Sequence, residues 1–297
     1  MQIILTLTER AYRGRWGYAF IAPGYIAFLL FMLAPLMIAV GLSFYRASFN
    51  ISAREFVGLQ QYARLFRDRV FLQALKNTAA YTITIVPATI IVSLLLALAI
   101  NPLGGRTQSV FRAAFYLPSV AGGVVLSVVW LWIFNPTYGL INYGLTLLGI
   151  EPVMWLAHTP ASFWAVSGVV LTFTIGEPVI LFLAGLAAIP QDLIDAARVE
   201  GAGETAITFR IRLPLIRPVA LFVLATQTIK VFQLWEVIYM ITNGGPFNTS
   251  TSLVYLIYQT AFIGAKYGKA SAIGVLLMMI IGVVTVMQMR LWRETDL

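Results

Sequence analysis

Not one of the 297 residues is cysteine, and histidine occurs once, at His158. The first absence excludes disulfides and thiolate metal or redox chemistry, and the second leaves no histidine cluster for zinc or haem. Charge is scarce too: Asp, Glu, Lys and Arg make up 11% of the chain, against roughly a quarter in soluble domains. Together with 60% hydrophobic residues, this argues against a soluble globule. The net charge of +8 does not signal nucleic acid, because no contiguous basic, aromatic-interleaved domain exists. The basic residues lie mainly in short connections between apolar runs, where they act as topology signals and partners for anionic headgroups.

What is abundant is apolar length. The runs from Tyr18 to Leu42, Thr78 to Ile100, Ala113 to Phe134, Phe163 to Leu186, Pro218 to Ile241 and Ala270 to Trp292 can each cross a layer of about 30 Å at about 1.5 Å per helical residue. The fold class is all-α: a polytopic membrane protein of six transmembrane helices over 18–292, with short ends at 1–17 and 293–297. Arg10, Arg13 and Arg15 resemble a signal-peptide flank, but the 25-residue run behind them favours a retained anchor. With cytoplasmic ends, eleven Lys and Arg fall on the inner side and eight on the outer, and the connection 135–162 holds neither residue type. Both termini are therefore expected in the cytoplasm.

No connection exceeds about 35 residues, so the chain has no room for a nucleotide-hydrolysing domain. The segment Gly264-Ala265-Lys266-Tyr267-Gly268-Lys269-Ala270 fails as a phosphate loop, because it is one residue short between its glycines and lacks Ser or Thr after the lysine. Lys266 and Lys269 read as interfacial anchors. His158 reads as a surface residue. Trp16, Tyr18, Tyr116, Trp130, Trp132 and Trp292 read as an interfacial aromatic belt. The stretch 61–76, with Tyr62, Leu65, Phe66, Phe71 and Leu75, is weakly amphipathic and expected to lie on the outer surface.

The connection after the fourth run is different in kind. Pro190 stops one helix, Gln191 or Asp192 can cap another, and Gly201 suits the left-handed residue that closes it. The spacing predicts a helix of about nine residues with Leu193, Ala196, Ala197 and Glu200 on one face, low enough for another surface to approach. So short a helix is marginal alone in water and persists best in a partner's groove. Arg210, Arg212 and Arg217 would hold the following segment at headgroup level. From these residues alone, an ordinary polar hairpin between two spans is an equal reading.

Asp195-Ala196-Ala197, then Gly201, then Ile211-x-Leu213-Pro214 resembles the Glu-Ala-Ala loop of importer-type ATP-binding-cassette permeases at identical spacing. Asp195 replaces the usual Glu, and Glu200 stands where sugar permeases usually have Asp. Other fragments follow in the order seen in the maltose-type carbohydrate branch: Phe56-x-Gly58-Leu59 through Tyr62 with Asn77-Thr78; Phe111-Arg112 through Leu117-Pro118 and Trp130; Asn135-Pro136-x2-Gly139-Leu140-x-Asn142; and Thr242-x-Gly244-Gly245-Pro246 with Thr251. The resemblance implies the bundle of a type I importer permease in a bacterial or archaeal cytoplasmic membrane. It also implies a second homologous six-span permease, a cytoplasmic ATPase dimer and an extracytoplasmic solute-binding protein. ATP and Mg would be bound by the ATPase, with no cofactor in this chain. Leu193, Asp195, Ala196, Ala197, Glu200, Gly201, Leu213 and Pro214 would form the ATPase-coupling segment within 190–214, and the solute would be a sugar or glycerol-phosphate-type compound.

Four polar groups interrupt the apolar runs: Glu177, Lys230, Gln233 and Glu236. A charge there costs about 2.5–3.5 kcal/mol on insertion scales unless paired or hydrated. On one continuous helix, Lys230, Gln233 and Glu236 would cover an arc of about 120° and could face a wet cavity. Pro178 frees a backbone carbonyl beside Glu177, and Phe173, Thr174, Phe232 and Trp235 supply aromatic faces and a hydroxyl nearby. Thr174, Glu177, Lys230 and Gln233 are the expected substrate-path residues; the competing reading is a structural Glu177–Lys230 ion pair. Glu236 is placed nearer the outer interface, in solvent. A proton-coupled secondary transporter using Glu177 is the alternative function, and it gives the 195–214 spacing no task. A membrane-embedded enzyme lacks a metal set, a paired-carboxylate motif and a nucleophile with a base.

Overall fold

The computed structural model describes residues 18, 20–48 and 54–293. The basic flank at Arg10, Arg13 and Arg15, the belt residue Trp16 and the last four residues lie outside them, as does the side chain of Trp292. The described residues contain four long apolar helices and two bent helix pairs, six spans when each pair is counted as one. The chain divides into two compact units, Met1–Ala63 with Thr260–Val275 and Arg64–Gln259 with Leu276–Leu297.

The first unit contains helix α1 (Phe20–Leu42), which presents apolar side chains such as Phe20, Phe31 and Met37 outward along its length. Strands β1 (Tyr45–Arg46) and β2 (Glu55–Phe56) follow as an antiparallel pair with Tyr45 opposite Phe56. Their rings meet edge-on at 5.3 Å, and Arg46 reaches Glu55 at 2.9 Å. The Tyr62 hydroxyl donates to Ser43 Oγ at 2.6 Å.

In the second unit, α3 (Arg69–Ile100) starts well before Thr78, where the apolar run begins. Helix α2 (Gln60–Leu65) precedes it. Asp68 caps α3 by accepting from the backbone N–H of Val70 at 2.9 Å and of Phe71 at 3.4 Å. The stretch 61–76 buries Leu65, Phe71 and Ala74 and exposes Arg64, Phe66, Arg67, Arg69 and Lys76, so it is amphipathic as read, and its second half is the start of α3.

Helix α4 (Gly105–Ile133) is followed by α5 (Leu140–Leu147), α6 (Ala161–Thr174) and α7 (Gly176–Ala187). The pair α6 and α7 bends by 44°, where Pro178 cannot donate to the carbonyl four residues back. At the bend, α7 meets α4 backbone to backbone: a Cβ on Gly176 would overlap the carbonyl oxygen of Phe115 and lie 3.0 Å from Tyr116 Cα. Next come α8 (Gln191–Val199), α9 (Glu204–Leu215) and α10 (Arg217–Phe232), the last two bent by 63°. The chain closes through α11 (Glu236–Ile241), α12 (Leu253–Ile263) and α13 (Tyr267–Arg293). Helix α3 packs on α7 and α10, and α4 packs on α6, α7 and α11. One apolar core gathers Tyr81, Val166, Val169 and Val237; a second gathers Ala97, Phe182, Leu183 and Val223.

The fifth run is not one helix to Ile241. Helix α10 ends at Phe232, residues 233–235 turn, and α11 starts at Glu236. The aromatic belt also divides. Tyr18, Tyr116 and Trp132 are exposed, Tyr116 at the edge of an open cavity, but Trp130 packs inward on Phe134, ring to ring at 5.1 Å. His158 is exposed.

Candidate functional site

The break at 233–235 and the bend at 175–176 open onto one cavity of about 460 Å³, within the range typical of small-molecule sites. Thr174, Glu177, Lys230 and Gln233 all line it. Lys230 Nζ donates to the Glu177 carboxylate, and both side chains remain about half exposed to the cavity. A cross-helix ion pair and a cavity wall are therefore the same two residues. Thr174 is buried, its hydroxyl donating to the Val170 carbonyl at 2.9 Å and lying 3.4 Å from Thr89 Oγ1. It shapes the wall and keeps its hydroxyl for its own helix.

The broken span corrects two expectations. Lys230 sits in the last turn of α10, whereas Gln233 and Glu236 follow the break, so no single helical arc holds all three. Glu236 is not out in solvent: it is half-buried on the cavity wall, against Gly123, where a Cβ would overlap its carboxylate. Neither its carboxylate nor the Gln233 amide has a hydrogen-bond partner among the described residues. Trp235 lines the cavity and belongs to an aromatic group with Tyr239 and Tyr258, at ring distances of 5.3–6.1 Å. Sequence reasoning passed over Tyr116 and Ser119 as lining residues; the local signal there was Gly122-Gly123, which interrupts α4 with a left-handed residue at φ +79.

The second candidate is the segment 190–214. Helix α8 spans nine residues, and Gly201 closes it at φ +87. Gly201 N–H donates to Arg198 O at 3.0 Å and Ala202 N–H to Ala197 O at 2.9 Å, the paired bonds of a Schellman end that favours glycine. The N-terminus differs from expectation. Pro190 itself is the cap residue, without a side-chain bond, and Gln191 donates to Asp195 at 3.0 Å. Ile194 is the buried residue and Ala197 is half-buried, so α8 seats that side on its own chain. Leu193, Ala196 and Glu200 are exposed and share the outward face.

Charge fixes α8 to α9. Arg198 bonds Asp195 at 3.3 Å and Glu204 at 2.7 Å, and Arg212 reaches the other Glu204 oxygen at 2.9 Å. Hydrogen bonds from Arg198 and then Arg212 hold the Glu204 carboxyl below its ordinary range, and the bond to Glu204 raises the Arg198 guanidinium. Arg212 is only 15% exposed at its side chain, so it is a strut within the loop and not a headgroup anchor. Leu213 and Pro214 fall in the last turns of α9.

The remaining motif fragments meet in space. Asn77 donates to the carbonyls of Asn248 and Thr251, both at 2.9 Å; Thr78 accepts from Leu253 N–H at 2.9 Å; Tyr81 donates to Ser250 O at 3.2 Å. In the other loop, Asn142 is 3% exposed and makes four bonds. Its amide donates to Pro136 O at 3.2 Å and Val153 O at 3.0 Å, and its carbonyl accepts from Val153 N–H at 3.1 Å and Trp155 Nε1 at 3.0 Å. These asparagines are loop fasteners.

Residues 89–293 match the family described as binding-protein-dependent transport system inner membrane component. A trehalose/maltose transport system permease protein of Thermococcus litoralis is 32% identical over 290 residues, covering 97% of each chain. An sn-glycerol-3-phosphate transport system permease protein of Escherichia coli O157:H7 is 33% identical over 292 residues, covering 96% of this chain and 97% of the relative. Among solved structures, a bacterial ABC transporter involved in import of the acidic polysaccharide alginate superposes with a TM-score of 0.85 at 23% identity, over 97% of this chain and 99% of that one. The proton-coupled alternative finds no support among these matches.

Proposed function

Since the chain belongs to the family of binding-protein-dependent transport system inner membrane components and is a non-catalytic permease subunit, we propose that it lines half of the pathway of an ATP-driven sugar importer. Its partners are a second six-span permease, a cytoplasmic ATPase dimer that binds ATP and Mg, and an extracytoplasmic solute-binding protein. Both termini face the cytoplasm, which puts α8 on the ATPase side. The observation that carries the coupling role is α8 itself: a capped helix, braced by Arg198 and Glu204, whose outward face of Leu193, Ala196 and Glu200 has no apolar cover. A ligand shifts a two-state equilibrium only through differential contacts, and a braced helix can transmit such contacts.

The solute passes the cavity lined by Thr174, Glu177, Lys230 and Gln233, where amide, carboxylate and ammonium groups beside Trp235 match hydroxyl-bearing sugar rings. Sugar transport is supported by the names of relatives at 32% identity over nearly the whole length. The test is vanadate-sensitive, ATP-dependent sugar uptake by proteoliposomes holding all partners. Replacing Ala196 by Trp should lower uptake per ATP at least ~10-fold while the protein still inserts, because a bulky ring on the outward face blocks close approach. Unchanged coupling in that variant would end the docking assignment for α8. Ala196 is a cleaner probe than Ala197, which faces partly inward.

A further inference from the structure

The cavity is built against one sign of cargo. Three charged side chains line it, Glu177, Glu236 and Lys230, which sum to one negative charge as ionised groups. The cation is already engaged, since Lys230 donates to Glu177. The carboxylate of Glu236 has no partner among the described residues and is held on the wall at the chain break, between Gly123 behind it and Trp235 beside it. An anion entering here would meet an uncompensated like charge where the wall shields it only partly from water; a hydroxyl would find a strong acceptor.

We propose that the cavity admits uncharged, hydroxyl-rich solutes and rejects phosphate esters and uronates, with Glu236 as the specificity-determining residue. The inference rests on the sugar-importer reading and narrows it to neutral saccharides. Glu236 accepts hydrogen bonds from sugar hydroxyls, Gln233 supplies the amide donor on the same break, and Trp235 offers a flat apolar face. The Glu177–Lys230 pair on the same cavity wall consumes the positive charge that an anionic solute would require.

Equilibrium binding to the complete transporter in nanodiscs, without the solute-binding protein, reads the cavity's own preference. Maltose, trehalose and raffinose serve as neutral probes; glucuronate, galacturonate and glucose 6-phosphate serve as anionic ones. At low ionic strength the best neutral probe should bind at least ~10-fold more tightly than any anionic probe. Raising the salt from about 0.01 M to about 0.5 M should shrink that ratio in the unaltered protein, a readout independent of any variant. Glu236→Gln should bring the ratio to within about threefold, since it removes the charge and keeps the shape. Equal or tighter binding of the anions by the unaltered protein overturns the inference and leaves the sugar importer standing, as does a ratio that neither salt nor Glu236→Gln changes. No saturable binding of either class overturns the inference together with the sugar reading.

Discussion

The loop from Asn135 to Trp155 and the loop from Pro190 to Glu204 fasten themselves in opposite ways. In the first, one buried amide uses all four of its hydrogen-bonding positions on backbone and indole partners. In the second, the fastening is ionic and mostly in water: the Glu204 side chain is 59% exposed and the Arg198 it holds is 47% exposed, while Arg212 on its other oxygen is 15% exposed. Buried amide bonds are costly to break one at a time, because each orphaned partner loses its only compensation. Exposed ion pairs are cheap to rearrange. One loop is set; the other is held in shape by bonds that rearrange cheaply.

The sharpest way to break the contrast is Asn142→Ala, which strands four partners at once. It should cost about 3 kcal/mol or more, read as a lowered detergent-solubilised melting temperature and early proteolysis within 135–160. A loss under about 0.5 kcal/mol would mean the loop is fastened elsewhere. Gly201→Val comes next. It forces a β-branched residue to φ +87, with a cost of about 1–2 kcal/mol confined to the end of α8. Insertion should survive while uptake per ATP falls, and a normal ratio would show that α8 tolerates reorientation. Glu204→Gln should have the smallest effect, a modest drop in coupling with only a slight fall in melting temperature.

The same carboxylate gives that last comparison a pH axis. Its folded pKa lies below the ordinary value, so its contribution is complete above the ordinary carboxylate range and is lost as pH falls through the lowered one. Coupling should therefore stay flat across neutral pH and decline only in acid, measured as uptake per ATP over a pH series. Glu204→Gln should abolish that acid limb; if the decline persists unchanged in the variant, another group is responsible.

What was legible in the sequence was mostly local. Pro190 and Gly201 delimit α8 because each restricts the backbone at its own position, and the run lengths set the spans. Helix α3 was misjudged because Arg69 and Lys76 look like loop residues, although Asp68 is a capping signal in plain view. The break after Phe232 was hidden: Leu234 and Trp235 continue the apolar run, and no glycine or proline marks the turn. Pairings such as Thr78 with Leu253 leave no periodic trace, since their partners lie about 175 residues apart. Glu177 and Lys230 were marked by their misfit among apolar neighbours, which identifies a cavity residue but not what it faces. Glu236 was assigned to solvent because it stands near the outer end of its run, although its helical spacing from Lys230 and Gln233 already pointed to the cavity it lines.

The backbone contact of Gly176 with Phe115 has a mechanical corollary. With no side chain between them to swing or compress, α7 and α4 have no slack at that point, so neither can tilt without dragging its neighbour. They form one wall of the chamber. Any widening that lets cargo through must therefore move the two as one, and the interrupted stretch from Lys230 to Glu236, which touches them through Glu177 and Gly123, is where the chain lacks a continuous helix to resist it.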